Sequence, residues 1–151
     1  MKIRLAEKPD ARELVEFNQA MALETEDKFL DPQILQSGVE SVFHDAAKGF
    51  YIVADDEGRI AGGLMVTFEW SDWRDAWFWW IQSVFIRSEY RGRGIYSQMY
   101  GFVKSLAAER GDVCGFRLYV ESDNLHARRV YEKLGMEQSH YVMYEEAVRP
   151  E

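Results

Sequence analysis

The chain has little that would staple or stiffen it. Of its 151 residues one is cysteine, Cys114, and three are proline. A lone cysteine forms no intrachain disulfide, which fits a reducing compartment. No apolar run approaches the roughly 18 residues of a membrane-spanning helix. The N-terminal MKIRLAEKPDAR lacks the apolar core of a signal peptide. The expectation is a cytoplasmic protein with no membrane partner. Basic charge is also short: 18 Lys and Arg stand against 26 Asp and Glu, a formal net charge of −8. A general nucleic-acid binder shows a basic footprint, so nucleic acid is not an expected partner, and the acidic excess suits a cationic one. His44, His126 and His140 are scattered at no metal-ligand spacing, and no metal is expected. There is no G-x-x-x-x-G-K-[ST] run, and Gly92-x-Gly94 lacks a third glycine three residues on, so neither phosphate fingerprint is met.

Aromatics, by contrast, are plentiful. All five tryptophans fall in the stretch EWSDWRDAWFWWIQ, residues 69–82. Periodicity places that stretch in a sequence of elements. Ile3 and Leu5 alternate with Lys2 and Arg4, a short strand. Pro9 suits a first helical turn, and Leu14, Val15, Phe17 and Met21 give that helix an apolar side. Asp31-Pro32 opens a second helix, with Leu35, Val39, Val42, Phe43 and Ala46 at helical spacing. Strands are expected over 50–54 and 60–70, joined as a hairpin through Asp55–Gly58. A third strand covers 77–86 after a turn at 71–75. A helix over 92–110, a strand over 116–120 and a helix over 124–134 follow, with Gly135 as a left-handed helix stop. Tyr141 to Tyr144 reads as a closing strand. The order is βααβββαβαβ, an α/β (α+β) chain with a mixed, mainly antiparallel sheet and helices on both faces. At this length one domain, 1–151, is the simplest expectation.

If residues 77–86 are a strand, side chains alternate. Trp77, Trp79, Ile81, Ser83 and Phe85 fall on one face, and Phe78, Trp80, Gln82, Val84 and Ile86 on the other. A bulge would shift that phase. Aromatics on both faces mean cover on both, so part of the cluster is core. Trp70 and Trp73 lie at the hairpin end, where a rim or a homodimer contact is expected.

The most informative loop is VFIRSEYRGRGIY, residues 84–96. An apolar strand ends, a loop with Arg91-Gly92-Arg93-Gly94 follows, and a helix begins. A helix start has unpaired N–H groups and the positive end of the dipole, and suits phosphate or pyrophosphate. The plain alternative is an ordinary strand-to-helix turn. The second segment is LYVESDNLHARRVYEKLGM, residues 118–136. The pair resembles the GNAT superfamily of N-acetyltransferases. Arg91 and Gly94 take the first and fourth places of its [QR]-x-x-G-x-[GA] loop. Asn124, Ala127, Tyr131, Lys133 and Gly135 fall on its Asn-x-x-Ala-x-x-x-Tyr-x-Lys-x-Gly helix.

That resemblance implies an acetyl-CoA-dependent N-acetyltransferase acting by direct transfer in a ternary complex. Backbone groups of Val84, Phe85 and Ile86 would pair with the pantetheine arm. The N–H groups of Arg91, Gly92, Arg93, Gly94, Ile95 and Tyr96 would hold the pyrophosphate. Asn124 would contact the cofactor arm, and Tyr131 would protonate the leaving thiolate. Two positions depart from the family. Tyr96 stands where Gly or Ala is usual, so its side chain must point away from the phosphates. Gln82 stands where relatives often carry a glutamate base; a glutamine takes no proton but can orient the amine or a water. The Gln82 face borders the family's acceptor cleft, which makes Phe78 and Trp80 its expected lining. Acidic Glu24, Glu26 and Asp27, expected in the loop between the first two helices, would favour a small cationic amine; a protein amine is the other acceptor class. Glu69 and Glu121 are further candidate bases. A coenzyme-A-binding regulatory or sensor domain without turnover, and an interaction module using the tryptophans, are the competing readings.

Overall fold

The computed structural model describes residues 1–150. They divide into two compact units, residues 1–119 and a C-terminal unit that starts at Val120.

The first unit runs β1 (Lys2–Leu5), a 3-10 turn (Lys8–Asp10), α1 (Ala11–Glu26), α2 (Pro32–His44), β2 (Phe50–Asp56), β3 (Arg59–Ser71), β4 (Ala76–Ile86), a second 3-10 turn (Ser88–Tyr90), α3 (Ile95–Arg110) and β5 (Val113–Leu118). The five strands lie in the order β1-β2-β3-β4-β5. β1 to β4 pair antiparallel and β5 runs parallel to β4. The hairpins need only tight turns, whereas the parallel step needs a crossover, which α3 supplies.

Local chemistry sets the helix ends. The Asp31 carboxylate accepts from the Gln33 and Ile34 backbone N–H groups at 2.9 and 3.3 Å, and Pro32 occupies the first turn of α2. α1 runs on to Glu26 and stops at Asp27, which is left-handed at φ 50°. Glu24 and Glu26 therefore sit in the last turn of the helix rather than in a loop. No Gly or Pro interrupts 10–31, so the helix continues until Asp27 turns it off. At the other end Asp10 is buried, accepts from two Arg4 nitrogens at 2.8 and 3.1 Å, and accepts the Glu7 N–H at 2.7 Å. Arg4 also donates to Asp55, tying β1, β2 and the start of α1 together.

Two aromatic-rich layers sandwich the sheet. On one face, α1 and α2 bury Leu14, Phe17 and Val39 against Tyr51, Val53 and Ile60. Each such side chain contributes about 1.5–3 kcal/mol by leaving water. On the other face Trp79 is 2% exposed, edge-on to Phe50 with ring centroids 5.3 Å apart. α3 covers this face, with Tyr100 against Phe116.

In the second unit α4 (Leu125–Lys133) starts at Asn124, whose side-chain oxygen accepts the Ala127 N–H at 3.2 Å. It stops at Gly135, φ 98°, with the Met136 N–H donating to the Tyr131 carbonyl. The closing strand expected at Tyr141–Tyr144 is absent: these residues make no ladder, and all four side chains are at least 57% exposed. β-forming residues make a strand only where a partner edge offsets the cost of ordering them. That partner is a tertiary fact, not a property of the four residues.

Candidate active site

The site in the first unit is built by a break in β4. Met65 opposes Gln82 and Gly63 opposes Phe85, so two steps on β3 match three on β4. The extra residue makes a bulge with Ser83 at φ 52°. Alternation is reset there. Phe85 does not share a face with Trp79, as uninterrupted alternation requires; it joins the Gln82 face and stacks on Phe17 at 5.1 Å. The opposing strand makes room with Gly62, where an added Cβ would sit 2.7 Å from the Phe85 carbonyl oxygen.

Past the bulge β4 loses one neighbour. Pairing with β5 ends at Ile81–Leu118, while pairing with β3 continues to Gly62–Ile86. Among the described residues, the second edge of β4 from Gln82 to Ile86 therefore has no strand beside it. The same edge leads through the second 3-10 turn to the loop 91–94. Gly92 and Gly94 have φ of 77° and 74°, a region open to glycine at little cost. A Cβ at either would meet nothing within 4 Å, so both border open space. Gly94 caps α3 without a side-chain partner, and the first N–H groups of the helix point out of its end. Tyr96 is 9% exposed, its ring beside that of Tyr100, so its side chain is turned into the protein and away from the helix mouth.

The two loop arginines do not spread into the mouth either. Arg91 donates to the Ile86 carbonyl at 2.8 Å, lies over the Phe85 ring, and pairs with Glu24 at 3.0 Å. Arg93 lies over Tyr90. Glu24, read from sequence as an acceptor contact, thus ties α1 to the loop. Glu26 pairs with Lys28 at 3.9 Å. A cavity of about 250 Å³ opens between α1 and the end of β4, lined by Glu16, Phe17, Glu24, Phe85 and Arg87 among others.

On the other side of the bulge, the Gln82 face continues outward past the helices. The Gln82 amide nitrogen donates to the Thr67 hydroxyl. Trp80 follows, half-buried, its indole N–H donating to Glu69 at 3.0 Å and its ring 4.5 Å from Tyr119. Phe78 comes next, also half-buried. In the second unit, Asn124 is exposed and Tyr131 half-buried; burial pushes the Tyr131 phenol above its ordinary value.

Sequence reasoning missed Arg117, Arg74 and Gly115. Arg117 and Gly115 sit opposite Trp80 and Phe78. Their spacing of two on β5 was readable, but which β4 residues they meet depends on the register of a parallel pair, and nothing local encodes that.

A mostly antiparallel five-stranded sheet, opened on one edge beside a bulge and followed by a glycine turn into a bare helix start, defines an acyltransferase of the acetyl-transferring class. The chain belongs to the Acetyltransferase (GNAT) family, which it matches over residues 11–136. Among solved structures it is similar to "a possible acetyltransferase" from Clostridium difficile 630, with 39% identity, a TM-score of 0.91, and coverage of 99% of this chain and 98% of that one. A "predicted acetyltransferase with acetyl-CoA" from Clostridium acetobutylicum shares the fold at 16% identity and TM-score 0.77, covering 96% of this chain and 95% of that one. So does glucosamine-6-phosphate N-acetyltransferase from Arabidopsis thaliana, at 21% identity and TM-score 0.74, covering 96% of this chain and 97% of that one. No protein of curated function matches at a significant level.

Proposed function

We propose that this acetyltransferase moves the acetyl group of acetyl-CoA directly to a small primary amine in a ternary complex. The observation that carries the reading is the open edge of β4 between Gln82 and Ile86, continued by the 91–94 loop into the bare start of α3. An extended pantetheine arm suits such an edge, which offers backbone groups of Val84, Phe85 and Ile86 in the manner of an added strand. The N–H groups from Arg91 to Tyr96 suit a pyrophosphate. Asn124 keeps its amide NH₂ to donate to the arm, since its oxygen is engaged by Ala127.

The bound thioester supplies an activated acetyl group. The amine must arrive with a free lone pair, although an alkyl amine of pKa ~10 is mostly protonated at neutral pH. Gln82 cannot take that proton, which leaves to water. With its nitrogen held by Thr67, its amide oxygen can accept an N–H of the amine and orient the lone pair. The nitrogen attacks the carbonyl carbon, the C–N bond forms, the C–S bond breaks, and the sulfur takes a proton from Tyr131; the surplus proton on the new amide nitrogen leaves through water and restores the phenol. A phenol raised above its ordinary value remains protonated at neutral pH and can serve. Trp80 offers an aromatic face to the ammonium form as it approaches, through cation–π attraction, and Phe78 lines the same face with its ring already under the Arg117 and Arg74 guanidiniums. Glu24 contributes through the loop it ties, and Glu26 adds negative potential at the end of α1.

Calorimetry with acetyl-CoA tests the cofactor side. A Cβ at Gly94 meets no protein atom within 4 Å, while a longer side chain there reaches into the loop mouth and strains a left-handed residue. Gly94→Leu should raise the Kd at least about tenfold, a loss of ~1.4 kcal/mol. An unchanged Kd contradicts the assignment. Thiol release with a panel of amines then tests turnover.

A further inference from the structure

The outer part of the Gln82 face carries positive charge that neither the cofactor nor an ammonium explains. Strand register arranges it in rows. Thr67, Trp80 and Arg117 lie across β3, β4 and β5, and Glu69, Phe78 and Gly115 form the next row outward. Gly115 lets the Phe78 ring lean over β5: a Cβ there would be 2.8 Å from the ring. The Arg117 guanidinium then sits 3.5 Å from the Phe78 centroid, and that of Arg74 sits 5.0 Å from it. Glu69 accepts from Arg117 at 2.7 Å and from Trp80 through the same oxygen.

This face therefore holds two guanidiniums against one carboxylate. Arg74 makes no ion pair among the described residues, and neither do Asp72 and Asp75 of its own turn. Arg117 spends one of its five donors on Glu69, and its side chain is 34% exposed. Stacking on Phe78 and the bond to Glu69 fix the plane of the guanidinium. Little freedom remains to be lost when a planar or tetrahedral oxyanion meets its remaining donors. A wall meant only for an ammonium would not place two guanidiniums beside it.

We propose that the acceptor carries, besides its amine, an anionic group held by Arg117 with Arg74 beside it. The inference rests on the reading of Gln82 as the place where the amine reacts. Trp80 stands opposite Arg117 and two residues from Gln82, so a two-residue rise plus one strand spacing, roughly 8 Å in all, separates the Gln82 and Arg117 backbones; the guanidinium leans further outward over Phe78, so amine and anion stand at least about that far apart. That excludes α-amino acids reacting at their own α-amine, whose carboxylate is too near. It fits an ω-amino carboxylate or an amine bearing a phosphate ester. Both present the same oxyanion chemistry.

The test holds chain length constant and changes the far end. Thiol release at saturating acetyl-CoA is measured with 1-aminopentane, pentane-1,5-diamine, 5-aminopentanoate and 5-aminopentyl phosphate. An anion-ended amine should exceed the neutral one in kcat/KM at least about tenfold, or ~1.4 kcal/mol, and the better of the two identifies the oxyanion. Arg117→Gln should bring that ratio close to one. Arg74→Gln, in an exposed turn, should lower it less and serves if the first variant fails to fold. A ratio that survives both substitutions overturns the proposal, as does equal or faster turnover of the neutral or dicationic amine. If acetyl-CoA binds and no amine of the panel reacts, the proposed spacing and charge are wrong. If acetyl-CoA does not bind, the underlying site reading has failed instead.

Discussion

Trp79 and Trp80 are neighbours in the chain, identical in chemistry, and opposite in fate. Trp79 faces α3, is 2% exposed, and is ringed by Phe50 and Phe68. Trp80 faces the side of α1 and α2, stays half-buried, and is bonded to a partly exposed carboxylate. The difference lies in cover. α3 closes one face of β4, whereas α1 and α2 close only the inner part of the other, where Phe17 meets Phe85. Beyond Gln82 the rings of that second face are only half-buried, with polar groups placed among them. Identical side chains therefore end in a closed layer on one face and, on the other, at the half-buried surface proposed to meet the acceptor.

The largest expected effect breaks the covered face. Trp79→Ala removes a ring from a closed aromatic layer and should cost about 3–5 kcal/mol of stability, read by denaturant unfolding. A loss comparable to that of an exposed residue would mean the layer repacks and the contrast is unfounded. Next is Tyr131→Phe, which should bind acetyl-CoA nearly normally and turn over ~10²-fold slower, as expected when a positioned acid is lost. Equal turnover would mean that water protonates the thiolate. Because burial raises the phenol, any fall in kcat from its own ionisation should come at higher pH than an ordinary tyrosine would give. An alkaline decline in the wild type well below the range of an ordinary tyrosine, absent from the Phe variant, would contradict the assignment.

Acid offers a milder way to loosen the covered half. Burial opposes ionisation of Asp10, yet the bonds from Arg4 and the Glu7 N–H outweigh it and hold its pKa below the ordinary value. The Gly58 N–H, and then Arg4, lower Asp55 in the same direction. Carboxyls depressed in the folded state stabilise it fully above their unfolded pKa of about 3.9, and that contribution disappears as pH falls through the folded value. The Tm should therefore decline below about pH 4, and less steeply in Asp10→Asn.

Much of this was legible in the sequence. Proline at Pro32 after the Asp31 cap and glycine at Gly135 each act within a few residues, and the corresponding helix ends formed. The loop at Gly92 and Gly94 and the helix from Asn124 were readable because glycine and capping chemistry are local. What was not legible depends on partners distant in the chain. The Ser83 bulge moved Phe85 to the other face because β3 offers one residue fewer there. Tyr141–Tyr144 had the composition of a strand and joins no ladder among the described residues. Arg117 came beside Trp80 through a parallel register that α3 sets.

In the proposed reaction the Gln82 face of β4 beyond the bulge serves as an acceptor surface rather than core. The most direct measurement is steady-state kinetics of Trp80→Ala alongside its melting curve. Losing a cation–π contact of about 0.5–2 kcal/mol predicts a roughly 2- to 30-fold rise in acceptor KM, an unchanged Kd for acetyl-CoA, and only a small shift in Tm. A large fall in Tm with the acceptor KM intact in the folded enzyme would place Trp80 with Trp79 as a packing residue and contradict the account.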